Sequence, residues 1–99
     1  MTPQLHAELW TSWASLLRSY SAAHGLNSAQ HAVVEVSADE ITVRVGSRWV
    51  RFTESAMQHS DEAAVSFALT EEGMAVVGGA DAEEMDLAAE RLTRGMLYP

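Results

Sequence analysis

The residues best suited to recognising a partner lie on one face of a predicted β-hairpin: Arg44, Trp49 and Arg51. We expect Arg44 and Trp49 to be cross-strand neighbours, where a guanidinium over an indole ring contributes ~0.5–1 kcal/mol. Trp and Arg are also the residues most enriched at binding hot spots. Together with Val33 of the neighbouring strand, they predict a protein-binding face. The alternative is a sheet face on which the arginine side chains cover the Trp49 ring.

Four histidines provide metal-binding side chains, but their spacing predicts no metal site. His6 and His24 share a helix face and stand ~27 Å apart at 1.5 Å per residue. Only His24 and His31, which flank one loop, have the opportunity to converge. A zinc site needs three or four such ligands at one point. We therefore expect neither a metal nor a cofactor.

The sequence also lacks a pattern typical of an enzyme. Gly78-Gly79 lies between a strand and a helix, a position that suits phosphate. However, Asp81, Glu83 and Glu84 occupy the first predicted helical turn and would repel an anion. The serines show neither a nucleophile elbow nor a Ser-x-x-Lys pattern. The sequence thus predicts no catalytic residues.

Length and composition favour one small domain spanning residues 1–99. The absence of cysteine excludes a disulfide framework and thiol chemistry. No leader peptide and no apolar run of ~20 residues is recognisable, so we expect a cytoplasmic protein that does not enter a membrane.

The net charge of −8 falls entirely on residues 54–99, which hold ten acids and two arginines, whereas residues 1–53 are neutral. Such a half repels nucleic-acid phosphates, so we expect no nucleic-acid partner. The simplest role of the acids is solubility. The alternative is an acidic inhibitor that mimics nucleic acid, which would require the acids to line one face.

The first predicted element is a helix from Pro3 to His24, with Thr2 as its N-cap and Gly25 ending it. Helical periodicity predicts a buried stripe. The stripe consists of Leu5, Leu9, Trp13, Leu16 and Tyr20. Trp10 and Leu17 widen this stripe on one flank. The helix is then either deeply seated in the core or in contact with a second subunit along that flank.

Three predicted strands follow as a meander: His31 to Val36, Ile41 to Val45, and Arg48 to Phe52. The glycine-first pair Gly46-Ser47 is typical of a type II′ turn. It predicts that Val45 pairs with Arg48, which places the aliphatic residues of all three strands on one face. The other face, including Thr42 and Glu35, is expected to be open to solvent.

The rest of the chain predicts a single helical turn over Glu54 to Gln58 and two more strands, Ala63 to Thr70 and Met74 to Val77. A three-residue turn with Gly73 in the left-handed conformation joins these strands. The last helix is expected to begin with a capping box at Asp81 and Glu84.

The predicted fold class is α+β: a five-stranded, mainly antiparallel meander with the N- and C-terminal helices packed on one face. This element order resembles the small acidic chaperones of type III secretion. The resemblance covers the whole chain, rests on element order alone and transfers no functional residue. It implies a dimeric, enzyme-free module that binds a protein segment.

We therefore expect a small cytoplasmic protein-interaction or chaperone-like domain without catalytic activity. Its expected partner is a protein, and first of all a second copy of itself. The homodimer would form through Trp10 and Leu17 on the helix flank or through the Trp49 face. An alternative is a binder of a small apolar ligand held between sheet and helices. That ligand would contact Phe52, Phe67, Met85 and Met96.

Overall fold

The computed structural model describes residues 1–26 and 28–98 of the chain. Helix α1 (Pro3–Gly25) and helix α2 (Met85–Leu97) are separated in sequence by seven strands. The strands are β1 (Ala32–Val36), β2 (Ile41–Val45), β3 (Arg48–Phe52), β4 (Ala56–His59), β5 (Val65–Leu69), β6 (Met74–Val77) and β7 (Glu83–Glu84). Each strand pairs antiparallel with the next. The sheet curls into a half-barrel.

The predicted α+β class, the two terminal helices and the antiparallel meander are confirmed, but the expected number of five strands is wrong. The segment predicted as a helical turn is strand β4. Thr53 donates its N–H to the carbonyl of Ala56 at 2.8 Å, which closes a tight turn from β3. β4 then places Met57 opposite Phe52 and buries it. Pairing with β3 thus overrides a local pattern that is too short to define a period.

The predicted capping box is also wrong, because Glu83 and Glu84 form strand β7. Glu83 pairs with Ala75 of β6, and α2 begins only at Met85. Glu84 occupies the N-cap position without a side-chain capping bond. Sheet pairing therefore extends to the very start of the helix.

The predicted registers of the first three strands are confirmed. Val43 pairs with Val50 and Val34 with Val43. Gly46 adopts φ +62° whereas Ser47 does not have a positive φ, as a type II′ turn requires. The predicted three-residue turn is also present, with Gly73 at φ +80°. The shared inner face is buried and consists of Ile41, Val43, Val45, Val50 and Phe52.

Helix α1 has its predicted N-cap, since Leu5 donates its N–H to the Thr2 hydroxyl at 3.1 Å. The buried face of α1, however, is centred on the flank of Trp10 and Leu17 and not on the predicted stripe. Trp10 is 5% exposed and Leu17 is fully buried. The predicted stripe residues Leu5, Leu9, Leu16 and Tyr20 are only half-buried. The predicted loop after α1 includes Asn27, which lies outside the described residues.

The rotation of α1 follows from its tryptophans. The Trp13 ring packs against Phe52 and Phe67, with ring centroids 5.4 and 5.5 Å away. Those two phenylalanines come from distant strands and lie 5.1 Å from each other. Because this aromatic cluster fixes Trp13 at the centre of the buried face, Trp10 and Leu17 fall into the core of the same chain. They are thus not free to form a dimer contact.

The described part of the chain contains no helix with the length and apolar character needed to span a membrane.

The two faces of the sheet can be tested with one pair of substitutions. Ala75 on β6 is fully buried, whereas Ala68 on the paired strand β5 is exposed on the outer face. Ala75→Asp places an unpaired carboxylate in the core and should lower the free energy of unfolding by several kcal/mol. In a domain of this size each kcal/mol corresponds to ~4–8 °C of melting temperature. Ala68→Asp should change the free energy of unfolding by only ~0.5 kcal/mol. Equal losses would contradict the inner and outer faces assigned here.

Candidate binding site at the open edge of the sheet

The predicted Arg44–Trp49 cation–π contact is wrong, although the two residues are cross-strand partners. The guanidinium of Arg51 covers the ring instead, 4.5 Å from its centroid. Arg44 turns away and forms an ion pair with Glu35. Arg51 also pairs with Glu40 at 3.2 Å. Attraction to these two carboxylates therefore distributes the arginines differently from what the hairpin alone predicts.

The outer face of β1–β3 is largely covered by its own side chains. Thr42 was expected to be open but is only 4% exposed. Glu35 of β1 and Arg51 of β3 flank Thr42 in the sheet, and each of them belongs to one of the two ion pairs. Trp49 is half-buried. These contacts favour the alternative in which an arginine side chain covers the Trp49 ring, with Arg51 in that position and Arg44 held by Glu35. They leave Val33 as the open apolar residue of this face.

The edge strand β1 has one neighbour in the sheet, β2. Val33 is 56% exposed and Val36 is 39% exposed. Ser37 donates its N–H to the carbonyl of Glu40 at 2.8 Å, so the backbone groups of Ser37 point toward β2. Because this orientation alternates along an antiparallel strand, the backbone N–H and C=O groups of Val33 and Glu35 also point toward β2.

The residues of β1 that alternate with Val33 and Glu35 direct their backbone groups away from the sheet. These residues are Ala32, Val34 and Val36. In the described part of the chain their outward N–H and C=O groups take part in no hydrogen bond beyond the sheet. An edge of this kind can accept a further strand.

A surface groove of about 460 Å³ lies beside the end of β1. Trp10 and Ala14 of α1 form one wall, and Val36 with the following turn forms the other. Arg18 also lines this groove. Of the six arginines, Arg18 is the one for which the described residues supply no ion pair or hydrogen bond. Thr11 and Ser15 add hydroxyl groups to the α1 wall, so the groove combines apolar and polar side chains with a free positive charge.

Trp10 holds this end of the site in place. Its indole Nε1 donates a hydrogen bond to the carbonyl of Ser37 at 2.9 Å, and its ring stacks on His6. The Ser37 hydroxyl in turn accepts the N–H of Glu40. Trp10 thus joins α1 to the β1–β2 turn and forms part of the groove wall, whereas Leu17 does not reach the surface.

A second group of polar side chains joins the two helices. The Tyr20 hydroxyl donates to Asp86 at 2.5 Å, and this hydrogen bond raises the pKa of the Tyr20 phenol. His24 lies 3.5 Å from Glu90, and the Tyr98 hydroxyl donates to the His24 carbonyl. Because these groups are engaged with one another across the helix interface, we interpret the cluster as a structural clamp.

The histidines remain dispersed in the fold. His24 lies at the helix interface, whereas His31 is exposed at the start of β1. Within residues 1–26 and 28–98, no group of three or more His, Asp or Glu side chains is arranged to hold a metal ion.

Comparisons with protein-family models, with curated proteins and with solved structures give no match. The predicted element order, on which the resemblance to secretion chaperones rests, also differs from the structure at two points, because β4 replaces the expected helical turn and β7 precedes the last helix.

The open edge of β1 is the feature that the sequence interpretation missed. It could have been recognised, because the first strand of a meander has only one neighbour and Ala32 to Val36 contains apolar residues on both faces.

The anchoring role of Trp10 predicts a local effect. Trp10→Phe removes the hydrogen bond to Ser37 and should cost ~1 kcal/mol. It should also accelerate amide hydrogen exchange at Ser37 and Glu40. Tyr20→Phe is the control, since it removes a side-chain hydrogen bond between α1 and Asp86 of α2 and leaves both the aromatic cluster and the β1–β2 turn unchanged. If both variants accelerate exchange in the turn equally, relative to their global stabilities, the anchor is refuted.

Proposed function

We propose that this protein is a non-catalytic protein-interaction domain, with a chaperone-like mode of holding an extended protein segment. The segment adds to β1 as a further strand of the sheet. The observation that carries this proposal is the open edge of β1. Among the described residues, the outward backbone groups of Ala32, Val34 and Val36 have no hydrogen-bond partner, and a groove lined in part by Trp10 lies beside them.

Both backbone and side chains contribute to such binding. Each new backbone hydrogen bond at the edge contributes ~0.5–1.5 kcal/mol net. Alternate side chains of the added strand point to the two faces of the sheet. On the outer face they contact Val33, and on the inner face they enter the groove beside Trp10 and Val36. The free guanidinium of Arg18 favours an acidic residue in the segment at this point.

The apolar-ligand alternative has less support. Phe52, Phe67 and Met85 are buried in the core at the place where the ligand was expected. Trp13 fills the space between the two phenylalanine rings. The aromatic cluster therefore occupies the volume that an enclosed ligand would need.

The acidic-mimic alternative is weakened by the distribution of the acids. Successive turns of a meander lie at opposite ends of its sheet. Glu54 and Glu71 follow β3 and β5 and so lie at one end, whereas Asp61 and Asp81 follow β4 and β6 and lie at the other. The acids thus do not form one face, which favours their role in solubility. The cytoplasmic location and the absence of membrane and nucleic-acid partners remain predictions.

Peptide selection tests the proposed function. A displayed library of random ten-residue peptides is selected on the protein and, in parallel, on Val34→Pro. Proline removes the outward N–H of Val34 and is tolerated on an edge strand because the β2 ladder does not use that N–H. We expect apolar, alternating peptides to be enriched on the unmutated protein and at least tenfold less on the variant.

Glu54→Pro is the matched control. It places the same residue in the exposed turn before β4, remote from the edge, and should retain peptide binding. Thermal melts establish that both proline variants are folded. Peptides that bind all three proteins alike, or no enrichment on any of them, would refute strand addition at β1.

A further inference from the structure

The geometry points to a second copy of this chain as the occupant of the edge. We infer that two β1 strands pair antiparallel across a two-fold axis at Val33 and join the two sheets into one. This inference rests on the proposed function, because it uses the same backbone groups, and it deepens that function by naming the partner.

The hydrogen-bond pattern of β1 permits this register. When Val33 lies opposite Val33 of the partner subunit, Ala32 lies opposite Val34 of the partner subunit. Both of these residues direct their N–H and C=O groups outward, so they can exchange two hydrogen bonds, and symmetry repeats the pair. A two-fold axis perpendicular to the sheet also keeps the helices of both copies on the same side.

The side chains of the outer face are self-complementary in this register. Val33, the most exposed apolar residue of β1, covers its own symmetry mate. Continuing the strand by one residue before β1 places His31 opposite Glu35 of the partner subunit, so an imidazole and a carboxylate face each other on both sides of the axis. Cross-strand pairs of this kind contribute ~0.2–1 kcal/mol each.

Neighbouring registers are less favourable. An axis at Glu35 sets Glu35 directly against Glu35 of the partner subunit, and like charges in that position are destabilising. An axis at Val34 sets the apolar Val33 side chain against the partner's Glu35. Of these three registers, the Val33 register alone pairs apolar with apolar and a carboxylate with an imidazole on this face.

One strand from each copy makes a small interface, below the ~1,200 Å² of a standard stable complex. We therefore expect a weak dimer that is present at ~100 µM protein and dissociates on dilution.

Engineered disulfides test both the partner and the register, because the chain has no cysteine of its own. In Val33→Cys the two introduced thiols would face each other at a non-hydrogen-bonded pair, with Cα atoms ~4.5 Å apart. That separation suits a disulfide. Oxidised glutathione, which is reduced as the disulfide forms, should convert most of the protein at ~100 µM into covalent dimer.

Glu35→Cys is the matched control on the same face of the same strand. Its two thiols would stand four residues apart along the strand direction, ~13 Å at 3.3 Å per residue. It should give at least tenfold less covalent dimer. Light scattering of the unmutated protein at ~100 µM should show the non-covalent dimer, and Val34→Pro should show a monomer.

The outcomes separate this inference from the proposed function. Cross-linking through Val33→Cys alone supports it. Equal or greater cross-linking through Glu35→Cys refutes the register. A monomer at ~100 µM without cross-linking refutes the second copy as partner. If library peptides still depend on the free edge in that case, the proposed function stands and a strand from another protein is the occupant.

Discussion

The register of the first three strands determines most of what this molecule can do. The Gly46-Ser47 turn pairs Val45 with Arg48, and the alternation of an antiparallel sheet then assigns every side chain of β2 and β3 to a face. The turn at Ser37 extends the same alternation to β1. That single constraint creates the apolar inner face on which α1 packs. It also decides which backbone groups of β1 point outward, and so it defines the proposed binding edge.

The aromatic cluster connects this register to the rest of the fold. Trp13 contacts Phe52 on β3 and Phe67 on β5, so one side chain of α1 holds two parts of the curled sheet together. The position of Trp13 fixes the rotation of α1 about its axis. In that rotation Trp10 reaches the end of β1 and bonds to Ser37. The core packing and the shape of the groove are therefore consequences of the same contact.

Sequence reasoning predicted the features that depend on local chemistry. Turn glycines with a positive φ set the registers around Gly46 and Gly73, and both were predicted. Features that depend on tertiary pairing were not. β4 and β7 are too short to show a period, and their partners define them. The stripe on α1 was ambiguous because large apolar residues occupy adjacent angles around the helix. Which arginine lies over the Trp49 ring depended on the positions of two carboxylates, because Glu35 pairs with Arg44 and Glu40 pairs with Arg51.

Residue-resolved amide hydrogen exchange of β1 tests the central claim most directly. In dilute protein, the amides of Val33 and Glu35 should be protected by β2, whereas those of Ala32, Val34 and Val36 should exchange rapidly. When the protein is concentrated to ~100 µM, the outward amides of Ala32 and Val34 should become protected, and a selected peptide should protect these two and also Val36. Protection of the outward amides in dilute protein, or rapid exchange at all three while a partner is bound, would contradict the account.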